Sequence, residues 1–424
     1  TWHCPVLKNS VGTVTDTGNY GYDLLGNLTT ASDSDSGLSF AYDPLGRLST
    51  ASTTAGPAQP ATTITYLYDK AGNRTRMTDP HGNPTMYVYD TVNRLTTLTS
   101  VDGTFTFGYD DAGRRTSLQF PNATKATYGY DAANQLTALH YLDSALALLS
   151  KFDYTYDEKG KRDSRTTLDG VTSYTYDSLD RLTGAVGPDP ANPAQAATES
   201  YAYDAVGNRT SSHLATGQAH DAANRLREDS KFTYTHDANG NLTGKQDKTT
   251  SAMTTHDWDV EDRLIAVHTP AQTVTFRYDP LGRRIEKATS ATTRYLYDQE
   301  DILEALDGSS ALRIRYTHGP RIDEPLARRN TAGQAVYYQA DGLGSITDIM
   351  NASGELSIAY RYDSYGKVLM EGSDTGHAFT GRERDRETGL FYYRARYYDP
   401  EVGWFMTEDP GGILAEPNRY RYVA

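Results

Sequence analysis

The stretch Tyr201-Ala-Tyr-Asp-Ala-Val-Gly-Asn-Arg-Thr210 governs the fold, because its pattern returns throughout the chain. Tyr66-Leu-Tyr-Asp-Lys-Ala-Gly-Asn-Arg-Thr75 is nearly identical, and Tyr-Asp pairs recur about every 21 residues from Tyr22 to Tyr297. A repeat of this length is one supersecondary unit, which buries its apolar face only by stacking on its neighbours. The sequence therefore predicts an array of stacked repeats.

Each repeat is predicted to form a strand, a tight turn and a second strand. An aromatic residue two positions before the tyrosine, as in Tyr66 before Tyr68, directs both rings to one face of a strand. Asp followed three residues later by Gly is typical of a turn, since the carboxylate bonds backbone N–H groups and Gly accepts a positive φ. Leu and Thr in segments such as Arg94-Leu-Thr-Thr-Leu-Thr99 suit the second strand.

The repeat sequence and the spacing between Tyr-Asp pairs vary at a few positions along the chain. Histidine is interpreted as replacing the repeat tyrosine at His220-Asp221, His236-Asp237 and His256-Asp257. Two longer spacings, 53–60 and 187–193, are rich in Pro and Ala and are predicted to be surface loops. The apolar segment 141–149 is too short to span a membrane and is predicted to be a flap that covers the array.

Hairpins that add edge to edge would build one long antiparallel sheet. A twisted sheet of more than about ten strands curls, splits or closes on itself. The predicted fold class is therefore all-β: a long antiparallel sheet of hairpins that spirals into a hollow shell. The chain has 33 Tyr against 10 Phe and 3 Trp, and such rings carry hydroxyls, so we expect a wet inner surface rather than a dry core.

Composition excludes several classes of function. A net charge of −14 argues against binding nucleic acid or an anionic membrane surface, and no apolar run is long enough to span a membrane. The single cysteine, Cys4, provides no disulfide framework. Motifs of nucleotide-binding proteins, serine hydrolases and zinc proteases are absent, so neither a cofactor nor a metal site is predicted. Both ends lack a capping repeat, so we expect an interior piece of a longer protein.

After Tyr297 the rhythm breaks, and the next Tyr-Asp pair is Tyr362-Asp363. The chain then contains Phe379-Thr-Gly-Arg-Glu-Arg-Asp-Arg-Glu-Thr-Gly-Leu-Phe-Tyr-Tyr-Arg-Ala-Arg-Tyr-Tyr-Asp-Pro400 and Gly403-Trp-Phe-Met-Thr-Glu-Asp-Pro410. This region resembles the Rhs-associated core domain, and the upstream repeats resemble Rhs/YD repeats. Trp404 is a departure, because the family usually has Arg after this Gly. The resemblance implies a repeat shell over 1–300, transition strands over 301–335 and a core domain over 336–424 that is incomplete at its C-terminal end.

The resemblance further implies a bacterial polymorphic toxin or a Tc-toxin C component, secreted or at the cell surface. In that family the shell encloses a C-terminal toxin polypeptide, and its expected partners are that toxin and secretion-system or Tc-toxin components. The core domain plugs one end, and an aspartyl-type self-cleavage releases the toxin. The scissile motif is expected beyond Tyr420-Arg-Tyr-Val423, outside this chain.

The resemblance gives one catalytic acid to Asp409, in Thr407-Glu-Asp-Pro410. Its partner would be Asp399, in Tyr398-Asp-Pro400, or an aspartate beyond Ala424. Two adjacent carboxylates share a proton, so that one activates water and the other protonates the leaving amine. Asp-Pro is also ordinary turn chemistry, and a structural role for both residues stays open.

Two other functions remain open from the sequence. The repeats also resemble those of teneurins and wall-associated proteins, which suggests an adhesive or carbohydrate-binding surface protein whose tyrosines stack on sugar rings. An enzyme of many turnovers could use some of the 55 Asp and Glu side chains. This second alternative is disfavoured, because turns already explain the repeat aspartates.

Overall fold

The computed structural model describes residues 2–3, 7–8, 14–16, 18–189, 192–370, 372, 376–411 and 418–422. Within these ranges there is no α-helix, and one 3-10 turn covers Phe379–Gly381. The remaining regular structure is β-strand, which confirms the predicted all-β fold class.

The first large sheet has 19 strands, and each strand pairs antiparallel with the next one in the chain. A separate short pair, Leu7–Lys8 with Val14–Asp16, lies outside it. The strands of the first sheet are Trp2–His3, Asn19–Tyr22, Leu28–Ser32, Gly37–Tyr42, Leu48–Thr54, Thr62–Tyr68, Arg74–Thr78, Pro84–Tyr89, Leu95–Ser100, Gly103–Tyr109, Arg115–Gln119, Lys125–Tyr130, Leu136–Leu142, Leu148–Tyr156, Arg162–Thr166, Val171–Tyr176, Leu182–Asp189, Asn192–Tyr203 and Arg209–Ser212.

The second large sheet has 15 antiparallel strands in chain order. They are Ala219–His220, Leu226–Glu228, Phe232–His236, Leu242–Asp247, Met253–Trp258, Leu264–His268, Thr273–Tyr278, Arg284–Ala288, Thr292–Asp298, Asp301–Asp307, Leu312–His318, Pro325–Asn330, Ala335–Ala340, Ile346–Met350 and Leu356–Ala359. The predicted domain limits at residues 300 and 335 fall within this sheet, and the three-part division stays a prediction.

Smaller elements complete the chain after the second sheet. Arg361–Tyr362 pairs with Val368–Met370. A four-stranded sheet follows, made of Glu383–Arg384, Phe391–Tyr393, Arg396–Asp399 and Trp404–Phe405. We call residues 376–411 together with 418–422 the C-terminal segment.

The repeat turn is built around its aspartate, as Asp69 shows. Its Oδ1 accepts the backbone N–H of Asn73 at 2.9 Å, while its Oδ2 accepts the Asn73 side-chain amide at 2.9 Å. Gly72 takes a φ of +92°, as the pattern predicted. Where arginine replaces the asparagine, its Nε binds the same oxygen, as Arg47 does with Asp43 at 2.7 Å. The residue after the glycine therefore closes the turn by binding the aspartate.

The repeat tyrosine joins one hairpin to the previous one. The Tyr68 hydroxyl donates to the backbone carbonyl of Leu48 at 2.8 Å, and Arg47 NH1 donates to the carbonyl of Asp69 at 2.7 Å. The Arg47 guanidinium also lies 4.8 Å from the centre of the Tyr68 ring. Tyrosine hydroxyls make the same backbone bond at Tyr42, Tyr89, Tyr109, Tyr130, Tyr156, Tyr176, Tyr203, Tyr278 and Tyr297. Each Tyr-Asp pair therefore couples neighbouring repeats, as a stacked array requires.

Of the three histidines predicted to replace the repeat tyrosine, His256 does not do so. Asp221 and Asp237 form repeat turns after His220 and His236, as predicted. At the third site the turn is formed by Asp259, whose Oδ2 accepts Arg263 Nε at 2.6 Å. Trp258, not His256, takes the tyrosine position, and its indole Nε1 donates to the carbonyl of Leu242 at 2.8 Å. The prediction for His256 is wrong because two aspartates two residues apart both fit the sequence pattern.

Two segments predicted to be irregular belong to hairpins. The apolar segment 141–149 is the end of a hairpin whose turn is closed by hydrogen bonds to Asp143, so the predicted flap is wrong. Residues 187–189 and 192–193 belong to two paired strands, so the predicted loop is wrong for them, whereas 190–191 lie outside the described residues. Residues 55–61 connect two strands without belonging to either, which agrees with the predicted loop at 53–60.

The two large sheets are successive turns of a spiral. Hydrogen bonds join Tyr20 to Pro280, Tyr66 to Asp298 and Tyr154 to Gly342, so the contacts advance together along both sheets. The bond from Tyr203 to Tyr365 continues this advance into the short strand pair after the second sheet. One hydrophobic cluster includes buried residues of both sheets. The spiralling shell predicted from the repeats is confirmed.

The repeat tyrosines face this shared core. Tyr66 is buried in it, and Tyr68 packs against the same cluster, so both rings lie on one face as predicted. The Tyr66 hydroxyl donates to Asp298 Oδ1 at 3.0 Å. The expected wet surface is therefore wrong for these tyrosines, because protein groups accept their hydroxyl protons and their rings form a packed core.

Gly207→Val is expected to lower the free energy of unfolding by about 1–3 kcal/mol. Gly207 has a φ of +87°, and a Cβ there would meet only Arg421 at 3.9 Å, so the cost lies in the backbone. Gly207→Asn is the matched control, because Asn93 and Asn134 adopt the same conformation in equivalent turns. Hydrogen exchange should detect loosening confined to neighbouring repeats; equal loosening of all repeats, or equal effects of both variants, would contradict the argument.

Candidate functional site at the C-terminal segment

The C-terminal segment packs on the second sheet through a hydrophobic core. Tyr392, Tyr397 and Trp404 of the segment share one buried cluster with Leu264 and Phe276 of the sheet. Backbone bonds join the two parts, including Leu242 N–H to the carbonyl of Met406 at 2.9 Å. The departure from the family pattern, Trp404, lies in this core with its ring 5.2 Å from that of His220.

A buried ionic cluster fastens the segment to the repeats. The fully buried Arg284 donates through NH1 to Asp385 Oδ2 at 2.5 Å and through NH2 to Glu383 Oε2 at 3.1 Å. Lys287 Nζ lies 3.1 Å from the other oxygen of Asp385. Burial raises the pKa of Glu383, whereas for Asp385 the cations Arg284 and Lys287 outweigh burial and hold its pKa below its ordinary value. The Arg284 guanidinium also lies 4.5 Å from the centre of the Tyr392 ring.

Asp399 is buried at the junction with the second sheet. Its Oδ2 pairs with Lys245 Nζ at 3.0 Å, and its Oδ1 accepts the backbone N–H of Glu401 at 2.9 Å. The Asp399 carbonyl accepts the N–H of Gly403, so this aspartate also closes a turn. The structure therefore gives Asp399 a turn bond and an ionic partner, and both of its carboxylate oxygens are engaged.

Asp409 lies at a more accessible position, with 34% of its side chain exposed. Its Oδ2 pairs with Arg396 NH2 at 2.8 Å, and its Oδ1 accepts the N–H of Gly411 at 2.8 Å. Its backbone N–H donates to the carbonyl of Arg419 at 3.0 Å. Water can therefore reach this carboxylate while Arg396 and the backbone hold it in one orientation.

The two predicted catalytic aspartates bind different cations. In the described part of the chain, no hydrogen bond joins Asp399 to Asp409. Of the motif Tyr420-Arg-Tyr-Val423, the first three residues are described, whereas Val423 and Ala424 lie outside the described residues, as Cys4 does. The assignment of both aspartates to self-cleavage stays a prediction.

The segment also lines a cavity of about 620 Å³ together with residues of both large sheets. Trp404 and Tyr422 form part of its wall, opposite strands of the first sheet and the end of the second. Among the described residues, no group of three or more His, Cys, Asp and Glu side chains is arranged to hold a metal ion. The same residues include no helix long and apolar enough to cross a membrane.

Acid is expected to destabilise the junction through its buried histidines. Burial lowers the pKa of His256 to about 4 and that of His377 to about 3, below the ordinary value of 6.5. Below pH 6.5 these histidines bind protons in the unfolded chain but not yet in the folded one. Their contribution to the free energy of unfolding is therefore complete above about pH 6.5 and is lost as the pH falls toward 4. Thermal unfolding between pH 7.5 and 4.5 should show this loss. His256→Gln should reduce the slope of stability against pH; an unchanged slope would contradict the prediction.

The repeats and the C-terminal segment together correspond to a known family. The family described as Teneurin YD-shell matches residues 165–415, more than half of the chain. The chain belongs to the teneurin YD-shell family. The family described as RHS Repeat matches residues 22–58 and 89–125, so the predicted Rhs/YD repeats are confirmed.

Similar proteins include bacterial toxins and a toxin assembly. Double-stranded DNA deaminase toxin A of Burkholderia cenocepacia is 28% identical over 313 residues, which cover 64% of this YD-shell chain and 21% of that protein. The tRNA3(Ser)-specific nuclease WapA of Bacillus spizizenii is 29% identical over 282 residues, covering 64% of this chain and 10% of that protein. The chain therefore spans about a tenth to a fifth of the length of these relatives.

The structural likeness extends over almost the whole chain. The Photorhabdus luminescens Tc holotoxin pore matches with a TM-score of 0.79 and 20% identity, over 97% of this chain and 24% of the matched chain. The complex TcdB2-TccC3-TEV matches with a TM-score of 0.77 and 19% identity, over 98% and 25%. At this identity the likeness establishes the YD-shell fold.

Sequence reasoning missed the ionic junction of the YD shell. Arg284 lies in a repeat, whereas Glu383 and Asp385 lie in the motif 379–400. No feature of the sequence indicates that these residues pair. A usable pattern existed, because the residue five positions after the turn aspartate is usually either Leu or Arg, as in Leu264 and Arg284. An arginine directed toward the core requires an acceptor there.

Proposed function

We propose that this chain forms part of a β-shell that encloses a toxic polypeptide carried on the same protein, in a bacterium that secretes or displays it. The observation that carries the proposal is that the C-terminal segment is packed into the spiral, where Trp404 and Tyr422 line a cavity together with residues of both large sheets. The similarity to a deaminase toxin, a tRNA nuclease and a Tc holotoxin supports a toxic cargo. Components of a Tc toxin or a secretion system are the proposed partners.

Release of the cargo is proposed to follow one self-cleavage event in which Asp409 acts as a catalytic acid or base. Water adds to the scissile carbonyl after losing a proton to one carboxylate, and the second carboxyl group donates a proton to the leaving amine. The peptide bond and one water thereby become a carboxylate and an amine. The exposure of Asp409 supports this role, whereas Asp399 is the weaker candidate because it is buried and water reaches it less easily.

Protease protection tests the enclosure. The full-length protein would carry a trypsin-sensitive reporter after the C-terminal segment, and a control protein would carry the same reporter before the first repeat. The reporter after the segment should resist trypsin at concentrations that digest the control, and urea that unfolds the shell should abolish the resistance. Digestion of both reporters at equal rates would contradict enclosure.

A further inference from the structure

Five repeats have arginine five positions after the turn aspartate. These are Arg74, Arg115, Arg162, Arg209 and Arg284. In each of these hairpins a β-bulge follows the arginine and shifts the register, as in the pairing of Tyr156 with Arg162. The bulge directs these arginines to the face that carries the repeat tyrosines.

Four of the five arginines bind an oxygen of a distant polypeptide segment. Arg74 pairs with Asp298 at 2.7 Å, and Arg115 pairs with Glu324. Arg209 donates to the backbone carbonyl of Val402, and Arg284 pairs with Asp385 at 2.5 Å. At this position the fold thus consistently supplies a carboxylate or a carbonyl to the guanidinium.

Arg162 is the exception. Its guanidinium lies 4.1 Å from the centre of the Tyr154 ring, but no hydrogen-bond acceptor or carboxylate binds it among the described residues. Arg165 faces the same side, because the bulge pairs Tyr156 with Arg162 and Tyr154 with Arg165. Its side chain also has no acceptor within the described ranges, and the Nε atoms of both arginines are buried. The Nε atoms of Arg115 and Arg284 also lack acceptors, so the difference lies in the terminal NH groups, which bind carboxylates in Arg115 and Arg284 and no described acceptor in Arg162 and Arg165. Guanidinium groups shielded from water without acceptors are costly, and native structures rarely keep them.

Both arginines line the cavity that the C-terminal segment also lines. Three acidic groups of the cavity wall already have partners. Glu199 accepts the Tyr201 hydroxyl, Asp348 lies 3.4 Å from Arg361, and Asp341 closes its own turn. Within the described part of the chain, the wall therefore presents two cations without an acceptor, which a molecule in the cavity could supply.

We propose that Arg162 and Arg165 form a binding site for carboxylate side chains of an acidic polypeptide segment. A polypeptide is favoured because the equivalent arginines all bind polypeptide oxygens, and aromatic wall residues such as Tyr174 suit its apolar atoms. The inference rests on the proposed function in one respect, namely that the enclosed toxic polypeptide would supply the acidic residues.

Calorimetric titration of the folded chain with acetyl-Glu-Glu-Glu-amide tests the site. Arg162→Gln and Arg165→Gln should each weaken binding about tenfold or more, which is the ordinary effect of losing a charge-assisted bond. Arg313→Gln is the matched control, because Arg313 is exposed and lies outside the cavity wall, and it should leave binding unchanged. Neither cavity variant should lower the unfolding temperature without peptide, since each removes a cation that lacks an acceptor.

Three results would overturn the site. They are no binding of the peptide, equal weakening by Arg313→Gln, and arginine-dependent binding of inorganic phosphate without binding of the peptide. The last result would assign the site to phosphate rather than to an acidic polypeptide. Because trypsin protection of the reporter does not depend on these arginines, failure of the site and failure of enclosure are separate outcomes.

Discussion

Arg284→Met is expected to lower the free energy of unfolding by about 3–5 kcal/mol, the usual effect of breaking a buried ionic cluster. The substitution leaves Glu383 and Asp385 buried with Lys287 as their remaining close cation. It also removes two of the ion pairs that join the repeats to the C-terminal segment. Urea unfolding followed by tryptophan fluorescence should report the loss, because Trp404 lies at this junction.

Two further variants separate charge burial from packing. Arg284→Met combined with Glu383→Gln and Asp385→Leu should recover most of the lost stability, since removing buried ionic partners together is often nearly neutral and Lys287 keeps Glu387 as its partner. Arg313→Met removes an exposed arginine and should change stability by less than about 0.5 kcal/mol. If Arg284→Met behaved like Arg313→Met, the cluster would not fasten the segment.

Asp409→Asn is expected to slow self-cleavage of a chain extended through the scissile motif by about 100-fold or more. Loss of a general acid or base typically costs a factor of about 10²–10⁴. The amide keeps the shape of the side chain and can still accept the N–H of Gly411, so the turn should persist. Gel electrophoresis and mass spectrometry of the purified protein would measure the cleaved fraction over time.

Two comparison variants show whether a loss of cleavage is specific to the Asp409 carboxylate. Glu408→Gln changes the neighbouring carboxylate, which pairs with Arg419, and should leave cleavage intact. Asp399→Asn should reduce both cleavage and stability, because Lys245 would lose its partner. A folded Asp409→Asn protein that cleaves at the wild-type rate would remove Asp409 from the mechanism.

The hairpins could be predicted because their determinants lie within ten residues of one another. In the turn from Asp69 to Asn73, the carboxylate, the positive φ of Gly72 and the closing amide are all local. The phase slip at His256 shows the limit of this reasoning. Asp257 and Asp259 both fit the pattern, and only the bonds of Arg263 and Trp258 distinguish them.

The contacts between turns of the spiral could not be predicted in the same way. Arg284 and Asp385 are 101 residues apart, and the pairing depends on how far the sheet advances in each turn. That advance is set by twist summed over many strands, which no single repeat encodes. The partners of the candidate site could not be predicted for the same reason. The family resemblance suggested Asp409, but only the structure shows Arg396 beside it and Lys245 beside Asp399.

The most direct test of the central claim is a cryo-electron microscopy reconstruction of the full-length protein before cleavage. If the chain forms part of an enclosing shell, density for the cargo polypeptide should lie inside the spiral, on the side of the wall that carries Arg162, Arg165 and Tyr422. A reconstruction with an empty interior and a folded cargo domain on the outer surface would contradict it.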